Sequence, residues 1–158
     1  DRDGNVLEEN RAEPSNGIRA DTAYVMTSLL RGVIQHGTGI RAANIDWPLA
    51  GKTGTVDDFT DAWFIGFDPA LTAGVWVGHD EKKPIGSGED GARAALPIWI
   101  DFMKVWMDGR EKPEFAAPGN IVRVQVDRDT GGLADPASTS TFSEVYIAGT
   151  QPGVGFPK

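Results

Sequence analysis

Three short β-prone segments in the middle of the chain constrain its fold more than any other feature. They span residues 50–56, 62–67 and 71–79 and are rich in small, aromatic and β-branched side chains. The linkers between them, residues 57–61 and 68–70, are short. A parallel crossover needs roughly a dozen residues or more, so strands joined this closely must pair antiparallel. The sequence therefore predicts an antiparallel meander.

Two amphipathic segments flank the predicted meander. Residues 21–36 place apolar side chains at helical spacing, with Asp21 as the expected N-cap and Gly37 as the stop signal. Residues 95–107 repeat apolar side chains at three- and four-residue intervals, and Pro97 suits the first turn of a helix. Helices beside an antiparallel sheet indicate an α+β fold.

The two ends of the chain predict smaller elements. Residues 1–20 are polar and are expected to form a short hairpin and a connecting loop. Stretches rich in valine and isoleucine near 121–126 and 145–147 predict strands of a small β appendage. We therefore divide the chain into a main part, residues 1–112, and a β-rich extension, residues 113–158.

Composition excludes several classes of protein. The chain has 158 residues and no cysteine, which rules out disulfides, iron–sulfur clusters and thiol nucleophiles. Its formal net charge is −8, so no nucleic-acid partner is predicted. The longest apolar run, residues 94–100, is far shorter than the about 20 residues that span a bilayer. The chain starts with Asp1 inside a predicted turn, and we expect it to be a piece of a longer protein.

The strongest chemical signal is the hexapeptide Ala-Gly-Lys-Thr-Gly-Thr at residues 50–55. One interpretation of Gly-Lys-Thr is a phosphate-binding P-loop, but that pattern needs a glycine where this chain has Asp46. The residues after Lys52 also predict a strand, whereas a P-loop leads into a helix whose N-terminus holds the phosphate. We reject the P-loop interpretation.

The other interpretation is a Lys-Thr-Gly strand that lines an acyl-transfer site. A strand edge in a cleft can pair with an extended substrate as an added strand. Lys52 would supply a positive charge, Gly54 would let the substrate backbone approach, and Thr53 and Thr55 would add hydroxyl donors. The N–H of Thr55 could also stabilise an oxyanion. The triplet alone is common, so a surface lysine and ordinary strand-forming threonines remain alternatives.

The surrounding residues resemble the class A penicillin-binding proteins, most closely those of the 1A type. The resemblance rests on residues 50–67, which read Ala-Gly-Lys-Thr-Gly-Thr-Val-Asp-Asp-Phe-Thr-Asp-Ala-Trp-Phe-Ile-Gly-Phe. It extends upstream to residues 23–26 and 32–39 and downstream to 75–78 and 95–99, with a looser likeness at 147–152. Val56 departs mildly, because the family often has Thr or Ser there. The Gly-Thr-Gly loop at 37–39 is expected to have a structural role beneath the site.

This resemblance implies the C-terminal portion of a serine transpeptidase or β-lactamase-like fold. It implies a peptidoglycan D,D-transpeptidase that β-lactams acylate, in which a serine attacks the carbonyl between two D-Ala residues of a stem peptide. Lys52 would be catalytic, and Thr53, Gly54 and Thr55 would hold the carboxylate of the substrate or antibiotic. No cofactor and no metal are implied.

Two motifs that such a mechanism needs are missing from the chain. No Ser is followed by Lys three residues later, and no Ser-x-Asn triplet occurs. We expect both in an N-terminal part of the same protein, together with a glycosyltransferase domain and one membrane anchor. The resemblance implies a location at the inner membrane with the catalytic domain on the periplasmic side. This chain alone is expected to be inactive.

Two other function classes remain open from the sequence. A D,D-carboxypeptidase or a β-lactamase would use the same strand for hydrolysis, and a non-catalytic fragment would be only a carboxylate-binding or scaffold module. The acidic residues Asp57, Asp58 and Asp61 are expected to form a solvated turn rather than a cation site, and His36 and His79 lack a third ligand.

The glycine-rich stretch 84–91 is expected to border the cleft. Four tryptophans are expected to pack in the core: Trp63, Trp76, Trp99 and Trp106.

Overall fold

The structure, a computed structural model, describes residues 2–9, 17–55 and 57–153. Its helices and strands are α1 (Ala20–His36), β1 (Ala50–Thr55), β2 (Asp61–Phe67), β3 (Thr72–Gly78), α2 (Leu96–Met107), β4 (Ile121–Asp127) and β5 (Thr141–Ile147). A π-helical turn, Gly91–Ala95, leads directly into α2. No helix in the described ranges is both long and apolar enough to cross a membrane.

The first three strands form an antiparallel sheet in the order β1-β2-β3, as the short linkers predict. β1 ends at Thr55 in the described part of the chain, and the predicted last residue, Val56, lies outside it. β4 and β5 form a separate two-stranded antiparallel sheet, which confirms the β appendage. β5 starts at Thr141, earlier than predicted. The α+β fold class is therefore confirmed, and the boundary between 112 and 113 stays a prediction.

The expected N-terminal hairpin does not form over residues 2–9. Residues 2–9 contain a turn, in which Gly4 has a φ of +82°, and no strand. Residues 10–16 lie outside the described part of the chain. The expected hairpin is thus wrong for residues 2–9.

The core lies between the sheet and α2. Phe64 on β2 and Trp99 on α2 are fully buried, with ring centroids 4.9 Å apart. Gly66 makes this contact possible, because a Cβ at that position would lie 2.5 Å from the Trp99 ring. The Trp99 indole also donates to the backbone oxygen of Ala73 at 3.1 Å. One tryptophan therefore fixes α2 against two strands.

Two of the four tryptophans do not join this core. Trp99 is buried and Trp106 is half-buried, but Trp63 and Trp76 are 41% and 43% exposed. They are directly opposite each other on β2 and β3, with ring centroids 6.3 Å apart. The core prediction is wrong for these two residues, because strand alternation places Trp63 on the face opposite Phe64.

A buried carboxylate, Asp68, ties three parts of the fold together. Its Oδ2 accepts hydrogen bonds from the indole N–H groups of Trp47 at 2.9 Å and Trp106 at 3.0 Å. Its Oδ1 accepts from the backbone N–H groups of Ala70 and Leu71, both at 2.7 Å. Asp68 thereby joins the segment before β1, the end of α2 and the β2–β3 turn.

The start of α1 differs from the prediction. Arg19, rather than Asp21, occupies the N-cap, and Asp21 lies inside the first turn with its side chain buried. The Asp21 carboxylate binds the Arg19 guanidinium and accepts from the Asn120 amide at 2.7 Å. The carboxylate also accepts from the backbone N–H of the next residue, Thr22, at 2.7 Å, whereas an N-cap side chain accepts from an N–H two or three residues further on. Asp21 instead links α1 to the start of β4.

We expect Asp21→Asn to loosen this link. The hydrogen bonds from Arg19 and from Asn120 lower the pKa of Asp21 from 3.8 to about 2. Because the folded-state pKa is depressed, the contribution to stability is complete above about pH 4 and is lost as the pH falls toward 2. Hydrogen exchange of the amides near Asn120 should therefore be faster in Asp21→Asn at neutral pH.

A matched control for this prediction is Asp80→Asn, which removes an exposed carboxylate elsewhere. Its exchange near Asn120 should equal that of the wild type. Unchanged exchange in Asp21→Asn as well would show that the contact does not hold the two segments together.

Candidate active site

Within the described ranges β1 lies at the edge of the three-stranded sheet, where it pairs with β2, and α1 packs against it. Alternation places Lys52 and Gly54 on the face that carries Trp63, and Thr53 and Thr55 on the opposite face. The four predicted site residues therefore share one exposed to half-buried stretch of strand but project from it in two directions.

The Lys52 side chain bends back along this strand toward Thr53. Its Nζ donates to the backbone oxygen of Thr53 at 2.9 Å and lies 3.5 Å from the Thr53 Oγ1. Within the described ranges, no carboxylate lies within ion-pair distance of Lys52. The strand thus carries an exposed and uncompensated positive charge beside a hydroxyl group.

The Thr53 hydroxyl has a second partner from a distant part of the chain. Its Oγ1 lies 2.9 Å from the Oγ1 of Thr38, which is in the loop after α1. The hydroxyl oxygen of Thr53 is therefore approached by an ammonium group on one side and by another hydroxyl group on the other.

The Thr55 hydroxyl is held by the π-helical turn before α2. The backbone N–H of Gly91 donates to the Thr55 Oγ1 at 3.2 Å. Asp90 fixes the turn, since its side chain accepts from the backbone N–H groups of Ala92 and Arg93, both at 2.9 Å. As the Thr55 oxygen accepts from Gly91, its own proton remains available to a ligand.

A glycine in this turn allows it to reach the strand, and a second glycine lies on the strand itself. A Cβ at Gly91 would lie 2.3 Å from the backbone oxygen of Trp63 and 2.9 Å from that of Gly54. A Cβ at Gly54 would lie 3.3 Å from the Trp63 Cβ, on the face that Lys52 shares. Glycine at position 91 therefore lets the π-helical turn contact the strand, whereas glycine at position 54 leaves space on the Lys52 face.

Together these groups can bind an anion but cannot carry out acyl transfer alone. Lys52 supplies a cation, and both threonine oxygens face a donor within the protein, so that their protons can donate outward. A carboxylate is the ligand that such a set of donors suits. The sequence holds no Ser-x-x-Lys motif and no Ser-x-Asn motif.

Two residues of this site were not among the predicted site residues. Thr38 was expected to have only a structural role in its loop, and Gly91 was only part of a stretch expected to border the cleft. Gly91 does contact the strand, while Ile85 in the same stretch donates its N–H to the backbone oxygen of Phe59 at 2.8 Å. The only sequence signal for either residue is glycine content, which indicates close approach without naming the partner.

In the acidic turn after β1, the structure describes the carboxylates of Asp58 and Asp61. Asp61 accepts from the Thr60 hydroxyl at 2.9 Å and the Trp76 indole at 2.8 Å, and Asp58 is exposed with a φ of 65°. Over the described part of the chain, no group of three His, Cys, Asp or Glu side chains could hold a metal ion.

Comparison with known proteins finds similarity in both sequence and fold. The family described as penicillin-binding protein 1A, C-terminal domain, matches residues 117–153. The penicillin-binding protein 1A of Aquifex aeolicus is 42% identical over 154 residues, which is 98% of this chain and 21% of that protein. The penicillin-binding protein 1A of Pseudomonas aeruginosa is 41% identical over 130 residues, 82% of this chain and 16% of that protein.

The structural comparison agrees. The crystal structure of penicillin-binding protein 1A from Haemophilus influenzae matches with a TM-score of 0.78 and 32% sequence identity, over 89% of this chain and 22% of that one. The α+β fold and the similarity in sequence therefore place this chain among the penicillin-binding proteins. Within that class the chain belongs to the class A proteins of the 1A type. It spans 21% of the length of the Aquifex relative.

Proposed function

We propose that this chain is the C-terminal part of a peptidoglycan D,D-transpeptidase and supplies its Lys-Thr-Gly-Thr strand. The observation that carries the proposal is the cluster of donors on β1, with the Lys52 ammonium beside the Thr53 hydroxyl and the Thr55 hydroxyl held by Gly91. In a member of this family, such a cluster fits the carboxylate at the end of a stem peptide or on a β-lactam.

The reaction assigns a separate task to each residue. A serine from an upstream part of the protein attacks the carbonyl between two D-Ala residues, and the terminal D-Ala leaves with the proton of the serine. An amine of a second stem peptide then takes over the acyl group and returns a proton to the serine. Lys52 stabilises the negative charge that develops during attack and polarises the hydroxyl group of the upstream Ser-x-Asn motif. Thr53 and Thr55 hold the carboxylate. Gly54 leaves room for the substrate backbone.

The proposal includes partners that lie outside this chain. The upstream part would carry the Ser-x-x-Lys and Ser-x-Asn motifs, a glycosyltransferase domain and a membrane anchor. The transpeptidase part would then act on the periplasmic side of the inner membrane. The reaction needs neither a cofactor nor a metal, since each bond change passes through the serine.

The intact mass of the full-length protein before and after incubation with benzylpenicillin tests this function. We expect one adduct with the mass of the whole antibiotic, because opening the β-lactam ring expels no fragment. Peptide mapping should place the adduct on an upstream serine and on no residue of this chain. Heat-denatured protein is the matched control and should remain unmodified. Full-length protein that carries both upstream motifs yet gains no mass would overturn the proposal.

The products formed from stem peptides separate a transpeptidase from the hydrolases. Transpeptidation releases one D-Ala for each cross-linked product, whereas a D,D-carboxypeptidase releases D-Ala without any cross-linked product. A β-lactamase would release the hydrolysed antibiotic and return to its original mass. We expect cross-linked product in proportion to the D-Ala released.

A further inference from the structure

The loop that carries Thr38 is held rigidly at the end of α1. The backbone N–H groups of Gly37 and Gly39 both donate to the backbone oxygen of Val33, at 3.1 and 2.9 Å. A Cβ at Gly37 would lie 3.0 Å from the Cα and the oxygen of Val33, and one at Gly39 would lie 3.1 Å from the same oxygen. The two glycines therefore let the loop fold closely over the last turn of the helix, which fixes Thr38 between them.

Thr38 directs its hydroxyl group at a single partner in the described structure, the Thr53 hydroxyl, 2.9 Å away. A hydroxyl oxygen has two acceptor sites and one proton. The Lys52 ammonium can only donate, and it lies 3.5 Å from the same Thr53 oxygen. When Thr38 and Lys52 both point protons at this oxygen, its acceptor sites are filled and its own proton must point away from both.

We propose that Thr38 is a positioning residue, whose hydroxyl group turns the proton of Thr53 toward the carboxylate of a bound ligand. This inference rests on the proposed function, because it requires that Thr53 hold that carboxylate. Thr38 does not touch the ligand. It acts through Thr53 alone and completes a row of donors that runs from Thr38 through Thr53 to the anion.

The negative charge of the ligand favours this proton arrangement over the reverse one. If Thr53 donated to Thr38, its oxygen lone pairs would face the carboxylate and repel it. With a carboxylate bound, Thr53 must donate to the anion, and its oxygen then becomes a better acceptor for Thr38. The contribution of Thr38 therefore depends on the negative charge of the ligand, which distinguishes it from a residue that only stabilises the loop.

The test uses the full-length protein, with Thr38→Val and Thr38→Ser compared with the wild type. Valine keeps the shape of threonine but has no hydroxyl group, whereas serine keeps the hydroxyl group. The second-order rate constant of acylation is measured with benzylpenicillin and with its methyl ester, which lacks the carboxylate charge. We expect Thr38→Val to lower the acylation rate constant about fivefold with the acid, which corresponds to the loss of one neutral hydrogen bond. With the ester, the rate constant should fall by less than about twofold. Thr38→Ser should restore most of the rate with the acid.

The ratio of the acid rate to the ester rate within one protein is the decisive measurement. The fraction of active protein cancels in this ratio, so a variant that folds poorly still gives a valid result. In a Thr53→Val background, Thr38→Val should leave the ratio unchanged, because the intermediary hydroxyl is gone. An equal loss with acid and ester, or no loss with the acid, would overturn the inference. A wild-type protein that reacts with neither ligand would instead overturn the proposed function.

Discussion

Replacing Lys52 by methionine is expected to slow acylation of the full-length protein by benzylpenicillin by about 100-fold or more. The Lys52 ammonium is exposed, pairs with no carboxylate in the described ranges and lies beside the hydroxyl of Thr53. A cation without a carboxylate partner can interact with a developing anion and with a bound carboxylate. Methionine retains a chain of similar length without the charge, so the loss measures the charge itself.

The folded state should tolerate this change, because the Lys52 side chain makes its contacts at the surface. Lys104→Met is a suitable control. Lys104 is exposed on α2, where it donates to Asp101 at 3.3 Å, so the acylation rate should remain that of the wild type. Lys52→Arg keeps the charge in a different shape and should lie between wild type and Lys52→Met. A rate within about threefold of wild type in Lys52→Met would contradict the catalytic role.

Replacing Asp68 by alanine is expected to lower the free energy of opening of α2 by about 3 kcal/mol. The carboxylate is 4% exposed and accepts four hydrogen bonds, two from the indoles of Trp47 and Trp106 and two from backbone N–H groups. Alanine would leave these donors without their acceptor in a site where water has little access. Native-state hydrogen exchange of the α2 amides in the full-length protein measures this opening locally, without requiring two-state unfolding of the whole protein.

The control for Asp68→Ala is Asp101→Ala, which removes a carboxylate that is 78% exposed on α2 itself. Its opening free energy should change by less than about 0.5 kcal/mol. If both variants opened alike, Asp68 would not be the residue that holds α2 in place.

The same carboxylate predicts a pH dependence. Burial raises the pKa of Asp68, but the donors from Trp47, Ala70, Trp106 and Leu71 together outweigh it, and the pKa lies below the ordinary value of 3.8. A depressed folded-state pKa stabilises the protein above the unfolded-state pKa, and this contribution is lost as the pH falls through the folded-state value. The opening free energy of α2 should therefore be level above about pH 5 and fall below about pH 4. The difference between wild type and Asp68→Asn should shrink over the same range.

The sheet and the candidate strand could be predicted from sequence because both depend on neighbours in the chain. Short linkers determine that β1, β2 and β3 pair antiparallel, and the Lys-Thr-Gly-Thr run lies within one strand. The exposed position of Trp63 was also accessible, since strand alternation separates it from Phe64. The expectation that Trp63 and Trp76 pack in the core was wrong because it relied on the apolar character of their segments.

The contacts that shape the site could not be predicted in this way. Thr38 and Thr53 are separated by 15 residues, Thr55 and Gly91 by 36, and Asp21 and Asn120 by 99. Each pair forms only when whole elements pack together. Asp21 shows the conflict most clearly, because a good N-cap residue was drawn into a tertiary contact instead.

The exposed pair Trp63 and Trp76 has a consequence for the handling of this chain in solution. Together with Ile65, which is 50% exposed on the same face, the two indoles form an exposed apolar patch on one side of the sheet. Colloidal repulsion then depends on the net charge of −8, which disappears near the isoelectric point of about 4.7. A purified fragment is therefore best kept dilute, at neutral pH and at low salt, where electrostatic repulsion between molecules opposes clustering through this face.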